Sequence, residues 1–89
     1  MIEKEIEIIN KLGLHARAAA KLVSTAASFA SQVSLSFGPQ QADAKSIMSV
    51  IMLAAAKGSL VILRCEGEDE EAAMHALESL INNYFGEEQ

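Results

Sequence analysis

Apolar residues in this chain switch back and forth between a period of two and a period of 3.6, and no stretch of either kind is long. Ile2, Lys4, Ile6 and Ile8 lie on one side of an extended segment, with Glu3, Glu5 and Glu7 on the other. This predicts a half-buried strand over 2–9, broken by Asn10-Lys11-Leu12-Gly13. Ala16 to about Ala30 follows the helical period, with Ala19, Leu22, Val23, Ala26 and Phe29 or Ala30 facing inward. Val33, Leu35 and Phe37 alternate again as a second strand. Gly38-Pro39 turns the chain, and a short third strand returns over Gln40–Asp43. Ser46 reads as the N-cap of a short helix from Ile47 to about Ala55, with Val50, Leu53 and Ala54 facing the core and Lys57-Gly58 ending it. Leu60–Glu66 is a fourth strand closed by Gly67. Asp69 caps a last helix running from Glu70 to about Phe85, with Ala73, Leu77, Leu80, Ile81 and Tyr84 as its core stripe. Gly86 stops it, and Glu87-Glu88-Gln89 reads as a solvated tail.

The resulting order, βαββαβα, has to be accommodated in 89 residues. That length is one domain, residues 1–89, and a chain this size buries roughly 60–65% of its unfolded surface. Too little chain is present to cover both faces of a sheet. The expected fold is therefore α+β: a two-layer, open-faced sandwich in which a four-stranded antiparallel sheet carries three helices on one face.

Composition excludes several functions. Seven basic and twelve acidic residues leave a net charge of −5, and the few aromatic residues offer no stacking platform, so a nucleic-acid partner is not expected. Cys65 is the single cysteine, which forbids an internal disulfide and fits a reducing compartment. His15, His75 and Cys65 lack the spacing of metal ligands, so no metal site is expected. The charged, alternating N-terminus is unlike a signal peptide, and no apolar run approaches a membrane span. The expectation is a cytoplasmic protein with no membrane insertion.

One stretch invites chemistry: KLGLHARAAAKL, residues 11–22. It puts His15 at or beside the start of the first helix. There the leading backbone N–H groups have no intrahelical partner and the helix dipole is positive, a combination that attracts anions. The N–H groups of Ala16, Arg17 and Ala18 are candidate donors to a phosphate. The same field disfavours imidazolium, and neutral imidazole is a nucleophile. Arg17 supplies a guanidinium suited to phosphate oxygens, and Gly13 lets the backbone turn sharply. From the residues alone, two readings stay open: a site that attacks and then holds a phosphoryl group, or an ordinary capped helix start with a solvated arginine.

NKLGLHARAAAKLV resembles the phosphorylation-site segment of the HPr family, the histidine-containing phosphocarriers of the bacterial phosphotransferase system. DAKSIMSVIMLAAAKG at 43–58 resembles that family's regulatory-serine segment, and GEDEEAAMHALESLI at 67–81 its final helix. The resemblance runs over essentially the whole chain and implies the βαββαβα sandwich read above. It implies that His15 accepts a phosphoryl group on Nδ1 from enzyme I, which is itself phosphorylated by phosphoenolpyruvate. Arg17 would stabilise that group, and His15 would pass it to enzyme IIA proteins for sugar uptake and regulation. Such a protein is a carrier turned over by its partners, not a stand-alone enzyme, and uses no cofactor. The alternative within the family is a regulatory branch, nitrogen-type or a truncated phosphorelay, that acts by phosphorylation-dependent binding. A monomer is implied.

Ser46 as a plain N-cap is a sufficient reading of the residue. The resemblance adds a second role, regulatory phosphorylation by an HPr(Ser) kinase/phosphorylase, which would place about two negative charges on a docking surface. IMSVIMLAAA is apolar nearly all round, so Ile47, Met48 and Ile51 are expected to form an exposed apolar patch for partners, with Leu14 and Ala20 beside the histidine. Three positions depart from the family's pattern. Ala18 stands where proline is usual. Ala54 replaces a common glycine and is expected to favour helix continuation. Asp43 stands where asparagine is frequent.

Overall fold

The computed structural model describes residues 1–87. Strand β1 (Ile2–Glu7) leads to helix α1 (Ala16–Ala27). The hairpin of β2 (Gln32–Phe37) and β3 (Gln40–Asp43) precedes a short α2 (Ile47–Met52). Then follow β4 (Leu60–Glu66), α3 (Glu70–Asn82) and one 3-10 turn, Tyr84–Gly86. The four strands form one sheet in the order β1-β4-β2-β3, every pair antiparallel. The register sets Ile6 opposite Val61, Val33 opposite Cys65 and Leu35 opposite Leu63, so one face is continuously apolar.

Those residues pack against Ala19, Leu22 and Ala26 of α1, Val50 of α2, and Ala73, Leu77 and Ile81 of α3, all buried. Each fully buried aliphatic side chain contributes on the order of 2 kcal/mol. Lys4 lies on the same face as Ile6. Because β1 is an edge strand, its ammonium can reach out to Glu78 of α3 at 3.0 Å. The other face is open: Leu60 and Ile62 are exposed, and Arg64 pairs with Glu3 across the β1–β4 ladder. Cys65 is buried in the core layer, and burial pushes its thiol up, as expected of a packed, unreactive cysteine.

The element order and fold class match the sequence reading, but several boundaries and contacts do not. Helix α1 stops at Ala27, where the Ser28 hydroxyl donates to the Thr25 carbonyl at 2.6 Å and competes with continuation. Helix α2 stops at Met52. Ala54 does not continue it and is not in the core: it is exposed, with φ of 54°, in the left-handed turn that glycine takes without strain. Helix α3 ends at Asn82. Tyr84, expected in the core stripe, is exposed, and Phe85 is fully buried in its place because left-handed backbone at both residues turns the chain back.

Asp69 occupies the N-cap position of α3 but makes no side-chain cap. Its carboxylate instead accepts from the backbone N–H groups of Ala30 and Ser31 at 2.8 and 2.9 Å and from the Ser31 hydroxyl. The helix start is secured by Glu70, which accepts from the Gly67 N–H at 3.1 Å. A Cβ on Gly67 would lie 2.6 Å from the Ser31 hydroxyl oxygen, so glycine is needed for this approach. Glu87 is no solvated tail: its carboxylate is held against the start of α1. Residues 88 and 89, the rest of that expected tail, lie outside the described residues.

Candidate functional site

The site begins with the loop between β1 and α1. Asn10 is fully buried, and the Gly13 N–H donates to its carbonyl at 3.1 Å, closing a tight turn. Gly13 has φ of +67°, and a Cβ there would lie 2.6 Å from the Ala55 carbonyl oxygen and 2.8 Å from Ala56 Cα. Only glycine can hold this backbone against residues 55–56. The Leu14 N–H then donates to the Ala55 carbonyl at 2.9 Å. The left-handed turn at Ala54 therefore has a use: it diverts the chain out of α2 just before the carbonyl on which the His15 loop rests. Strained backbone concentrated beside reactive groups is a recurrent arrangement.

His15 is the N-cap of α1, with extended backbone at φ −74° and ψ 176°. Its carbonyl accepts the first helical bond, from Ala19 N–H at 2.8 Å, and its Nδ1 accepts from Arg17 N–H at 3.3 Å. Among the described residues, no hydrogen bond takes up the N–H groups of Ala16 or Ala18, so the anion-attracting end expected from sequence is present. Arg17 is exposed, while Ala18 is buried with its methyl against the core. The imidazole edge remains partly accessible, at 26% side-chain exposure.

The second ring nitrogen meets a partner that sequence reasoning missed. Nε2 lies 2.6 Å from Glu87 Oε2. Because Nδ1 accepts from Arg17, the proton sits on Nε2 and is donated to the carboxylate. The other carboxylate oxygen, Oε1, accepts from Asn10 Nδ2 at 3.0 Å, and the same amide donates its second hydrogen to the Gly13 carbonyl at 2.8 Å. Both partners of Nδ2 are acceptors, which settles the amide's orientation. Asn10 holds the Glu87 carboxyl below the usual carboxylate range. Desolvation opposes this, and hydrogen bonding to His15 and the nearby Lys21 charge support it. The Lys21 ammonium also donates to the Phe85 carbonyl at 2.7 Å, tying the turn that presents Glu87 to the flank of α1. In the sequence, Asn10 reads only as part of the break after the first strand. The only forewarning of the fold-back was Phe85, a large apolar side chain just before the helix-stopping Gly86.

The docking residues divide. Ile47 and Met48 are exposed as expected, and Ala20 is exposed on α1. Ile51 is half-buried against the core. Leu14 is only 4% exposed: its side chain anchors the loop and offers little to a partner. Met52 and Leu12, not singled out in the sequence, are among the most exposed apolar residues. Ser46 caps α2, its hydroxyl accepting from Ser49 N–H at 3.4 Å, and it is half-buried. Asp43 builds the turn before it, accepting from Lys45 N–H through its side chain and from Ser46 N–H through its carbonyl, at 2.9 and 3.0 Å. Among the described residues, no cluster of three or more His, Cys, Asp or Glu could hold a metal, and no helix is long and apolar enough to cross a membrane.

Residues 2–83 match the family described as "PTS HPr component phosphorylation site". The phosphocarrier protein HPr of Cupriavidus necator is 58% identical over 87 residues, covering 98% of each chain. Among solved structures, HPr from Thermoanaerobacter tengcongensis superposes with a TM-score of 0.96 at 48% identity, covering all of both chains. A structure described as an HPr dimer from the same organism aligns with a TM-score of 0.79, covering 98% of this chain and 100% of that one.

Proposed function

The chain belongs to the HPr family of phosphotransferase-system phosphocarriers, and from that premise we propose that His15 is the residue that takes up the phosphoryl group and hands it on. The observation that carries this reading is the placement of His15 as the N-cap of α1. Its Nδ1 lies beside the leading N–H groups of the helix, and the exposed Arg17 follows two residues later. The 3.3 Å bond from Arg17 N–H to Nδ1 is at the weak end of the range. A small rotation of the ring frees the lone pair and leaves that N–H for a phosphate oxygen. Nδ1 then attacks phosphorus in line as the donor's bond to phosphorus breaks. The backbone N–H groups of Ala16, Arg17 and Ala18 and the Arg17 guanidinium meet the equatorial oxygens. Little covalent work is asked of the fold, and catalysis lies in positioning and charge.

The donor in this reading is enzyme I and the acceptors are enzyme IIA proteins, with the exchange taking place in the cytoplasm and the carrier a monomer. Ile47, Met48 and Ala20 form the docking surface, and the exposed Met52 extends it, since methionine adapts to differently shaped partners. Ser46 is the regulatory position, open to an HPr(Ser) kinase/phosphorylase. Six helical residues of α2 span roughly 9 Å, so a phosphate on Ser46 would sit at the end of the docking helix away from the His15 loop. It would act by charge on the surface, with the fold intact.

The test is incubation with enzyme I and phosphoenolpyruvate, read by intact mass and 31P NMR, for the wild type and His15→Ala. A single acid-labile phosphate adduct in the wild type and none in the variant is the expected result. An adduct on His15→Ala would remove His15 from the reading.

A further inference from the structure

We infer that Glu87 is a positioning residue for phosphoryl transfer: its carboxylate holds the proton on His15 Nε2 and balances the positive charge that the ring acquires when Nδ1 is phosphorylated. The inference rests on the reading of His15 as acceptor and adds a residue to it.

Neutral imidazole has one protonated and one free nitrogen, and only the free one can attack. When the Nδ1 lone pair forms the bond to phosphorus, the pair of the breaking bond leaves with the donor. The Nε2 proton stays where it is, so the ring becomes a cationic phosphoimidazolium. At the N-terminus of α1 that cation is poorly placed, because the helix dipole opposes it. The geometry supplies the remedy. Glu87 Oε2 stands 2.6 Å from Nε2, on the side of the ring opposite the attacking nitrogen. A carboxylate in this position orients the imidazole, keeps the proton off the nucleophilic nitrogen and strengthens its hydrogen bond as charge develops, the arrangement by which an aspartate serves the histidine of a catalytic triad.

Two features mark the contact as built. The carboxylate is held at both oxygens, by His15 and by the fully buried Asn10, whose amide is itself anchored on the Gly13 carbonyl. The segment carrying it is pinned by the buried Phe85 and by the bond from Lys21 to the Phe85 carbonyl. The charged groups near the pair are Lys21, which favours the Glu87 anion, and Arg17 beyond Nδ1. A tail caught by chance would not need a buried amide, a lysine and two left-handed residues to deliver one oxygen to one nitrogen.

The deciding variant is Glu87→Gln, which keeps a hydrogen-bond acceptor facing Nε2 and removes the charge. The expected result is phosphorylation by enzyme I slowed roughly tenfold. This is far less than in a fully enclosed triad, since water screens a partly open pair. The equilibrium with phosphorylated enzyme I should shift away from the carrier, while the variant still unfolds cooperatively in urea with only a small drop in midpoint, since it loses a carboxylate held below its free range. Glu87→Asp, with the charge retained on a shorter stem, should recover part of the rate. In 1H–15N spectra of the imidazole, the Nε2–H resonance should lie downfield in the wild type and move upfield in Glu87→Gln. Wild-type rate, equilibrium and imidazole resonance in Glu87→Gln would overturn the inference. His15→Ala in the same assay separates the two readings: an inert His15→Ala beside a fully active Glu87→Gln sinks the role of Glu87 alone.

Discussion

Asp69 and Glu87 each draw together segments remote in sequence, and their partners differ in kind. Asp69 ends on the backbone N–H groups of Ala30 and Ser31 and on the Ser31 hydroxyl. Glu87 ends on the amide of Asn10 and the imidazole of His15. Both carboxyls lie below the usual range: Asp69 through the Ser31 hydroxyl and the Ala30 N–H, Glu87 through Asn10 first. A carboxylate satisfied by groups that do not change charge can only fix a loop, and Asp69 does so, joining the chain after α1 to the start of α3. A carboxylate that ends on an imidazole is coupled to whatever that imidazole does next. Backbone strain follows the same division. Ala54, Tyr84 and Phe85, the non-glycine residues at positive φ among those described, all border the His15 end, whereas at the Asp69 end the unusual backbone falls on Gly67. One end is relaxed and structural. The other holds strain that its packing must restrain.

Phe85→Ala breaks the comparison most severely. It empties a fully buried aromatic site and should cost about 3–5 kcal/mol in urea unfolding. It should also free Glu87, so that the Nε2–H resonance is lost while the amide signals of Ala30 and Ser31 stay in place. Asp69→Asn tests the other end. A carboxyl held below its unfolded value contributes stability above that value, about pH 4, and loses it as pH falls through the folded one. The urea midpoint of the wild type should therefore fall as pH drops below about 4. Asp69→Asn should begin lower and fall less steeply, with phosphorylation of the folded protein unchanged. Glu70 and Glu87 are held low as well, so the variant's curve should retain some slope. Ala54→Gly has the smallest effect. Relief of a left-handed alanine, about 1–2 kcal/mol, is set against roughly 0.5–1 kcal/mol of added chain entropy. A net gain of about 0.5 kcal/mol in thermal or urea unfolding is expected. A loss of stability would show that Ala54 is unstrained and that the strain comparison between the two ends is wrong.

Much of the fold was legible before any coordinates. Alternation in β1, β2 and β4 names the residues that face the core, and the helical period in α1 picks out Ala19, Leu22 and Ala26. His15 and Ser46 were recognisable as helix starts because capping is a local event, decided by a side chain and N–H groups two or three residues away. The readings that failed share a cause. Helix propensity favours continuation at Ala54, but the chain must leave α2 there to put the Ala55 carbonyl under Leu14. Tyr84 fits the period of α3, but the period ends at Asn82. Asp69 looks like a cap, and the backbone of a loop reached from elsewhere competes better for its oxygens.

By itself the amino-acid order determined the elements, the inward face of most of them and the histidine at the head of α1, since these depend on neighbours within a turn of helix or a pleat of strand. Only the tertiary structure decided what stands against that imidazole. The Glu87–His15 contact joins residues 72 apart, and the Asp69–Ser31 contact residues 38 apart. No local pattern encodes such a meeting. It arises because Phe85, once buried, leaves the two residues after it no direction to take but back across the start of α1.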